Sequence, residues 1–166
     1  MLLKDVLADV ASIAARDATP RVALVLPAPP AYRVLPLESL PEGLDAYVVI
    51  EPSGSPRGLP EGAAAVYAEA LRLPFREGSV GLLLCFACIE RADELEGFLK
   101  EACRVLGAGG RLVIGGLTPS SRLMIPGSGE GWPPGLFAKV AAKHLSCMDL
   151  RVSKDYFVAS CRCMRR

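Results

Sequence analysis

Residues 69–116 read EALRLPFREGSVGLLLCFACIERADELEGFLKEACRVLGAGGRLVIGG. Inside this stretch, Val80 to Phe86 (VGLLLCF) is an apolar run of strand length without polar alternation, the pattern of a strand buried on both faces. Leu95, Phe98, Leu99, Ala102 and Leu106 follow at spacings of three and four, which is one face of a helix. Asp93 and Glu94 stand where carboxylates complement a helix N-terminus. Gly107, Gly109 and Gly110 supply the C-terminal stop. Arg111 to Ile114 (RLVI) is a second buried run. Strand, helix and strand in this order form a crossover unit, which sets the two strands parallel in one sheet.

The rest of the chain extends the pattern in both directions. Leu3, Val6, Leu7, Val10 and Ile13 recur at helical spacing and predict a helix ending near Asp17, with Pro20 as its stop. Strands are predicted at Arg21 to Leu26 (RVALVL) and Ala46 to Ile50 (AYVVI), with a weaker one at Ala64 to Ala68 (AAVYA). A late helix is predicted over Leu136 to Leu145, after Pro133 and Pro134. Met148 to Val152 and Tyr156 to Met164 read as a closing hairpin joined by Ser153-Lys154-Asp155. The expected class is α/β, a single compact domain over 1–166 with a mostly parallel, Rossmann-like sheet and helices on both faces. Such sheets bind ligands beyond the carboxyl ends of their strands, here after Leu26, Ile50, Ala68, Phe86 and Ile114.

Composition sets outer bounds. The 166 residues are 51% hydrophobic, and mean hydropathy is +0.33, enough for a substantial core. No apolar run reaches the roughly 18 residues of a membrane span. Asp5 and Asp9 interrupt the N-terminal pattern where a secretory signal needs a continuous apolar stretch, so a cytoplasmic protein is expected. Nineteen basic and eighteen acidic residues are interspersed, which leaves no broad surface for nucleic acid. The chain has no Asn and no Gln, and 14 Arg against 5 Lys. Loss of heat-labile amides favours a thermophilic source, with codon bias in a GC-rich genome as the plainer account.

The 69–116 stretch resembles the central part of small class I S-adenosylmethionine-dependent methyltransferases of the ubiquinone-biosynthesis and "methyltransferase type 11" kind. The residues that carry the resemblance are Glu69, Leu73-Pro74-Phe75, the run to Cys85, Glu90-Arg91, Arg104-Val105-Leu106 and Gly109-Gly110. The resemblance implies a seven-stranded sheet whose last strand inserts antiparallel beside the fifth. It also implies S-adenosylmethionine as cofactor. Leu26, Pro27 and Ala28 would take the place of the cofactor loop, and Glu51 with Pro52 that of the ribose-binding acid, since a carboxylate accepts two hydrogen bonds from a diol. Glu69 would lie near the adenine amino group, with Ala70 and Leu71 beside the ring. Cys85 and Phe86 would floor the place where the sulfonium methyl faces the substrate. From position alone, Glu51 reads equally as a turn residue and Glu69 as a solvated carboxylate.

One segment departs from the family pattern. After the first strand the family has a glycine-rich loop preceded by an acidic residue. This chain has Pro27-Ala28-Pro29-Pro30-Ala31, with neither. Proline has no N–H to offer the cofactor's carboxylate and fixes the backbone. Two functions therefore stay open: a methyltransferase acting on a small molecule, and a methyltransferase-fold scaffold that binds a protein partner. No catalytic residue is assigned under either.

A third, weaker reading uses Cys85-Phe86-Ala87-Cys88 as a redox or metal site, since C-x-x-C can serve either chemistry. The only other close pair, Cys161 and Cys163, lies on the last, antiparallel strand and is expected at the opposite edge of the sheet. Buried free thiols are the favoured expectation for the six cysteines, with a Cys85–Cys88 disulfide as an alternative in a heat-loving host. The single histidine, His144, is expected at the edge of the core rather than as a catalytic base.

Overall fold

The structure is a computed structural model that describes residues 22–27, 45–50, 52, 54, 59, 62–87, 89, 92–122 and 131–164. Seven strands form one sheet: β1 (Val22–Pro27), β2 (Asp45–Ile50), β3 (Ala63–Tyr67), β4 (Leu82–Phe86), β5 (Arg111–Leu117), β6 (Leu145–Val152) and β7 (Tyr156–Cys163). Their order across the sheet is β3-β2-β1-β4-β5-β7-β6. The first five run parallel, and β7 inserts antiparallel between β5 and β6. Two helices are described, α1 (Ala92–Leu106) and α2 (Pro134–Ala141). The predicted helix before Asp17 lies outside the described residues.

Within the VGLLLCF run every residue of β4 is buried, because both faces of the strand are covered. One face carries Leu83 and Cys85, continued by Leu112 and Ile114 of β5 and by Phe157, Ala159 and Cys161 of β7. Against it pack Leu95, Phe98, Leu99, Ala102 and Leu106, the residues whose spacing predicts α1, together with Phe137 and Ala141 of α2. The other face holds Leu82, Leu84, Val113 and Val158, buried as well. Double-sided burial is what removes the polar alternation from these strands. β3, the weakest prediction, is an edge strand with Ala64 and Ala65 exposed, so little of it is selected for burial.

Two expectations are corrected. The late helix ends at Ala141, not Leu145. Its last turn closes through the Lys143 N–H on the Val140 carbonyl (3.3 Å) and the His144 N–H on the Ala141 carbonyl (2.9 Å). Leu145 then opens β6 opposite Cys163. Phe137, Ala141 and Leu145 are all buried, and their spacing of four reads as helix although a turn separates the third from the other two.

The cysteines are the second correction: among the described residues none is a free thiol. Cys103 bonds Cys163, and Cys147 bonds Cys161. Cys161 and Cys163 are two apart on β7 and so share one side of the sheet. Cys147 is the cross-strand neighbour of Cys161, and Cys103 comes from the last turns of α1 on that same side. Cys85 is disulfide-bonded too. Cys88, its partner under the alternative reading, lies outside the described residues.

Candidate functional site

β1 lies between β2 and β4, so the chain leaves it toward one edge of the sheet and later returns to build the other. In open α/β sheets a crevice forms at that reversal, beyond the carboxyl ends of the strands. The register aligns those ends. Leu26 stands opposite Cys85, Pro27 opposite Phe86, and Phe86 opposite Gly115. Ile50 of β2 stands opposite Tyr67 of β3, and the Ala68 N–H continues the ladder to the Ile50 carbonyl at 3.0 Å.

Leu26, Pro27, Pro52, Glu69, Ala70, Leu71, Cys85 and Phe86 therefore gather along one edge, and Pro52 is exposed there. Ala28 and Glu51 lie outside the described residues, as do the side chains of Leu26 and Pro27. Cys85 and Phe86 are buried. Glu69 is exposed, and its carbonyl accepts the Arg72 N–H at 3.0 Å in a tight turn. Ala70 packs against the core, and Leu71, 42% exposed, lies over Gly97 of α1.

That turn is anchored by an ion pair whose role sequence reasoning missed. Glu101 and Arg104, on successive turns of α1, meet through Arg104 Nη2 and Glu101 Oε1 at 2.7 Å and through Nε and Oε2 at 2.8 Å. Both also bind the loop after Leu71. The Leu73 N–H donates to Glu101 Oε1 at 2.7 Å, and Arg104 donates to the carbonyls of Leu73 (2.9 Å) and Phe75 (2.8 Å). The Arg104 hydrogen bond holds the Glu101 carboxyl below the usual range, while burial pushes it the other way and the Leu73 amide adds to the lowering. Arg104 is raised in turn, chiefly by the same bond. The signal was present in sequence as Leu73-Pro74-Phe75 and Arg104-Val105-Leu106, two segments whose link only the fold displays.

Beyond β4 the chain turns sharply at Ala87, a non-glycine residue at φ 51° whose N–H reaches the Gly115 carbonyl at 2.9 Å. Trp132 closes over this corner. Its Nε1–H donates to the Ile89 carbonyl at 2.9 Å and its backbone N–H to the Leu117 carbonyl at 2.7 Å. Beneath it lies an apolar cavity of about 20 Å³ lined by Cys85, Ile89, Leu95, Ile114, Trp132 and Phe137, among others. That is room for about one water molecule, so nothing larger enters it without movement. A broader cleft of about 830 Å³, lined in part by Lys100, Lys143, His144 and Cys163, contains none of the predicted site residues.

The remaining candidates separate from this edge. Cys161 and Cys163 are bonded to Cys147 and Cys103, so they form no joint site with Cys85. Among the described residues no cluster of His, Cys, Asp or Glu could hold a metal. His144 sits at the core edge, as expected, with Nε2 3.0 Å from Glu96 Oε1. That contact, with Lys143 next in weight, lowers the Glu96 carboxyl.

A family model described as "Methyltransferase domain" matches residues 46–114, from β2 into β5. Among curated enzymes, norajmaline N-methyltransferase of Rauvolfia serpentina is 33% identical over 75 residues, 42% of this chain and 26% of that one, so the match spans about a quarter of the enzyme's length. Among solved structures, a SAM-dependent methyltransferase from Aquifex aeolicus superposes with a TM-score of 0.69 at 14% identity, covering 96% of this chain and 88% of the other. The 1,6-didemethyltoxoflavin-N1-methyltransferase of Burkholderia thailandensis, solved with 1,6-didemethyltoxoflavin and S-adenosylhomocysteine bound, gives 0.63 at 18% identity over 98% and 77%. Sheet order and these likenesses agree on the fold of class I S-adenosylmethionine-dependent methyltransferases, and the methyltransferase family model matches its central part, from β2 into β5.

Proposed function

We propose that the protein binds S-adenosylmethionine along the carboxyl edge of β1 to β4 and transfers its methyl group to a small molecule. The observation that carries this reading is the convergence of Pro27, Glu69 to Leu71, Cys85 and Phe86 on one edge at the sheet's switch point. These residues fit most of the cofactor. The exposed Glu69 carboxylate can accept from the adenine amino group, Ala70 and Leu71 offer apolar contact to the ring, and Glu51 can accept from the ribose hydroxyls. The carboxylate end is served less well, because Pro27, Pro29 and Pro30 have no N–H. When bound, the cofactor supplies an electrophilic methyl carbon on a sulfonium.

The chain's own part in the reaction is orientation and exclusion of water. The Glu101–Arg104 clamp fixes the loop that follows Glu69 to Leu71. Phe86 and the Trp132 corner keep the region over β4 apolar, where an acceptor atom would approach in line. Partners are a small-molecule substrate and, under the second reading, a protein. That second reading, a scaffold without activity, draws on the proline loop and on the bonded state of Cys85 at the floor. A cytoplasmic place in a thermophile agrees with the absent amides and with disulfides, which intracellular proteins of hyperthermophiles tolerate. No helix among the described residues is long and apolar enough to cross a membrane.

Isothermal titration calorimetry with S-adenosylmethionine and S-adenosylhomocysteine separates the two readings. Micromolar binding, weakened at least about tenfold in Glu51→Ala and in Glu69→Ala, supports the enzyme. Absence of heat at millimolar cofactor, from protein shown to be folded, leaves the scaffold.

A further inference from the structure

β6 ends the sheet, and β7 is its only strand partner among the described residues. A strand in that place presents backbone N–H and C=O groups to whatever comes next. One side of β6 is apolar and open. Leu150 and Val152, opposite Ala159 and Phe157, are 49% and 55% exposed. The other side carries opposite charges two residues apart, with Arg151 Nε 3.7 Å from Asp149 Oδ2.

We propose that a second copy of this chain pairs with β6 along this edge, antiparallel about a two-fold axis at Leu150, so that two seven-stranded sheets become one. The charges select this register. Outward-pointing backbone groups recur on every second residue, so a two-fold pairing must set one residue opposite itself. Centred on Asp149 it opposes two carboxylates, and centred on Arg151 two guanidinium groups, and like charges directly opposite destabilise a sheet. Centred on Leu150, Asp149 meets the partner's Arg151 twice, once from each strand. On the other side Leu150 meets its own copy, flanked by Val152 of each chain. The exposed Leu150 and Val152 of the two chains then form one stripe.

Charges and bulges on an edge strand ordinarily discourage pairing. Here the charges disfavour the neighbouring registers and favour one. The occupant is a second copy because the segment Asp149-Leu150-Arg151 is complementary to itself, with opposite charges about a central exposed Leu150.

Sedimentation velocity of the full chain, from about 1 µM to about 1 mM, tests this. The expected result is a monomer–dimer equilibrium. Leu150→Lys and Asp149→Arg each raise the dissociation constant at least about tenfold, and the exchanged pair Asp149→Arg with Arg151→Asp restores it. These positions are on the outer strand, and circular dichroism of each variant confirms that it is folded. A wild-type chain that stays monomeric throughout overturns the proposal, as does a dimer indifferent to Leu150→Lys. A double exchange no better than Asp149→Arg alone also overturns it.

Discussion

Glu101 shows how one side chain can link a helix to a site it does not enter. Its carboxylate accepts from Arg104 and from the Leu73 amide, and Arg104 passes the hold on to the carbonyls of Leu73 and Phe75. The folded carboxyl titrates below its unfolded value, about 4.3. Its contribution is therefore complete above that value and is lost as the pH falls through the lower folded one. Glu101→Gln keeps an acceptor for Leu73 but removes the charge. We expect it to cost about 1–2 kcal/mol at neutral pH, around the low end of the range for charged hydrogen bonds, because Arg104 is 39% exposed and partly screened. Urea unfolding of variant and wild type should converge once the pH falls below the lowered folded value. A cost unchanged in acid would assign the effect to shape rather than charge. Arg104→Met tests the functional consequence. It touches no proposed cofactor atom, yet it should weaken S-adenosylmethionine binding by loosening the loop after Leu71, while leaving α1 helical.

At the scale of elements, α1 and its exit were the most legible part of the chain. The stop was visible as Gly107, Gly109 and Gly110, and the fold gives these glycines unequal work. Gly107 lies at φ 62° and its N–H closes the last turn on the Cys103 carbonyl at 3.1 Å. A Cβ there would stand 2.9 Å from the Gly78 Cα. Gly109 has nothing within 4 Å of the same atom. Gly107→Ala is expected to lose about 1–3 kcal/mol through left-handed strain and crowding, and Gly109→Ala well under 1 kcal/mol. Thermal melts separate them, since each kcal/mol moves the midpoint by roughly 2–4 °C in a chain of this size. The end of α2 was less legible. Leu145 continues the helical spacing of Phe137 and Ala141, and the pairing that makes it a strand residue comes from β7, which lies beyond it in sequence.

Over the whole molecule, legibility follows the range of the interaction. Double-sided burial marks every residue of a strand, so the sheet and its parallel sense could be read locally. The carboxyl edge followed from strand order, which is why Glu69, Cys85 and Phe86 were placed on it. The clamp and the disulfides join segments far apart in sequence and leave no periodic trace. Cys103 and Cys163 are 60 residues apart, and Cys147 and Cys161 are 14 apart. Both bonds converge on one side of β7, so the last strand is fastened to the overlying α1 and to the neighbouring β6. In the chain-entropy account, a cross-link stabilises by narrowing the unfolded ensemble, more so for the longer loop: about 4 kcal/mol for the first bond and about 3 for the second. We expect Cys103→Ser with Cys163→Ser to lower stability by about 4 kcal/mol under oxidising conditions, and Cys147→Ser with Cys161→Ser by about 3. The decisive comparison is made in excess reductant. If the bonds act through the unfolded chain, each variant should fall further by the loss of the bonds it keeps, wild type should fall by more than either, and all three should meet at one level. Wild type that melts at one temperature with and without reductant, while its thiols titrate freely, would show that these pairs are not bonded in the folded protein.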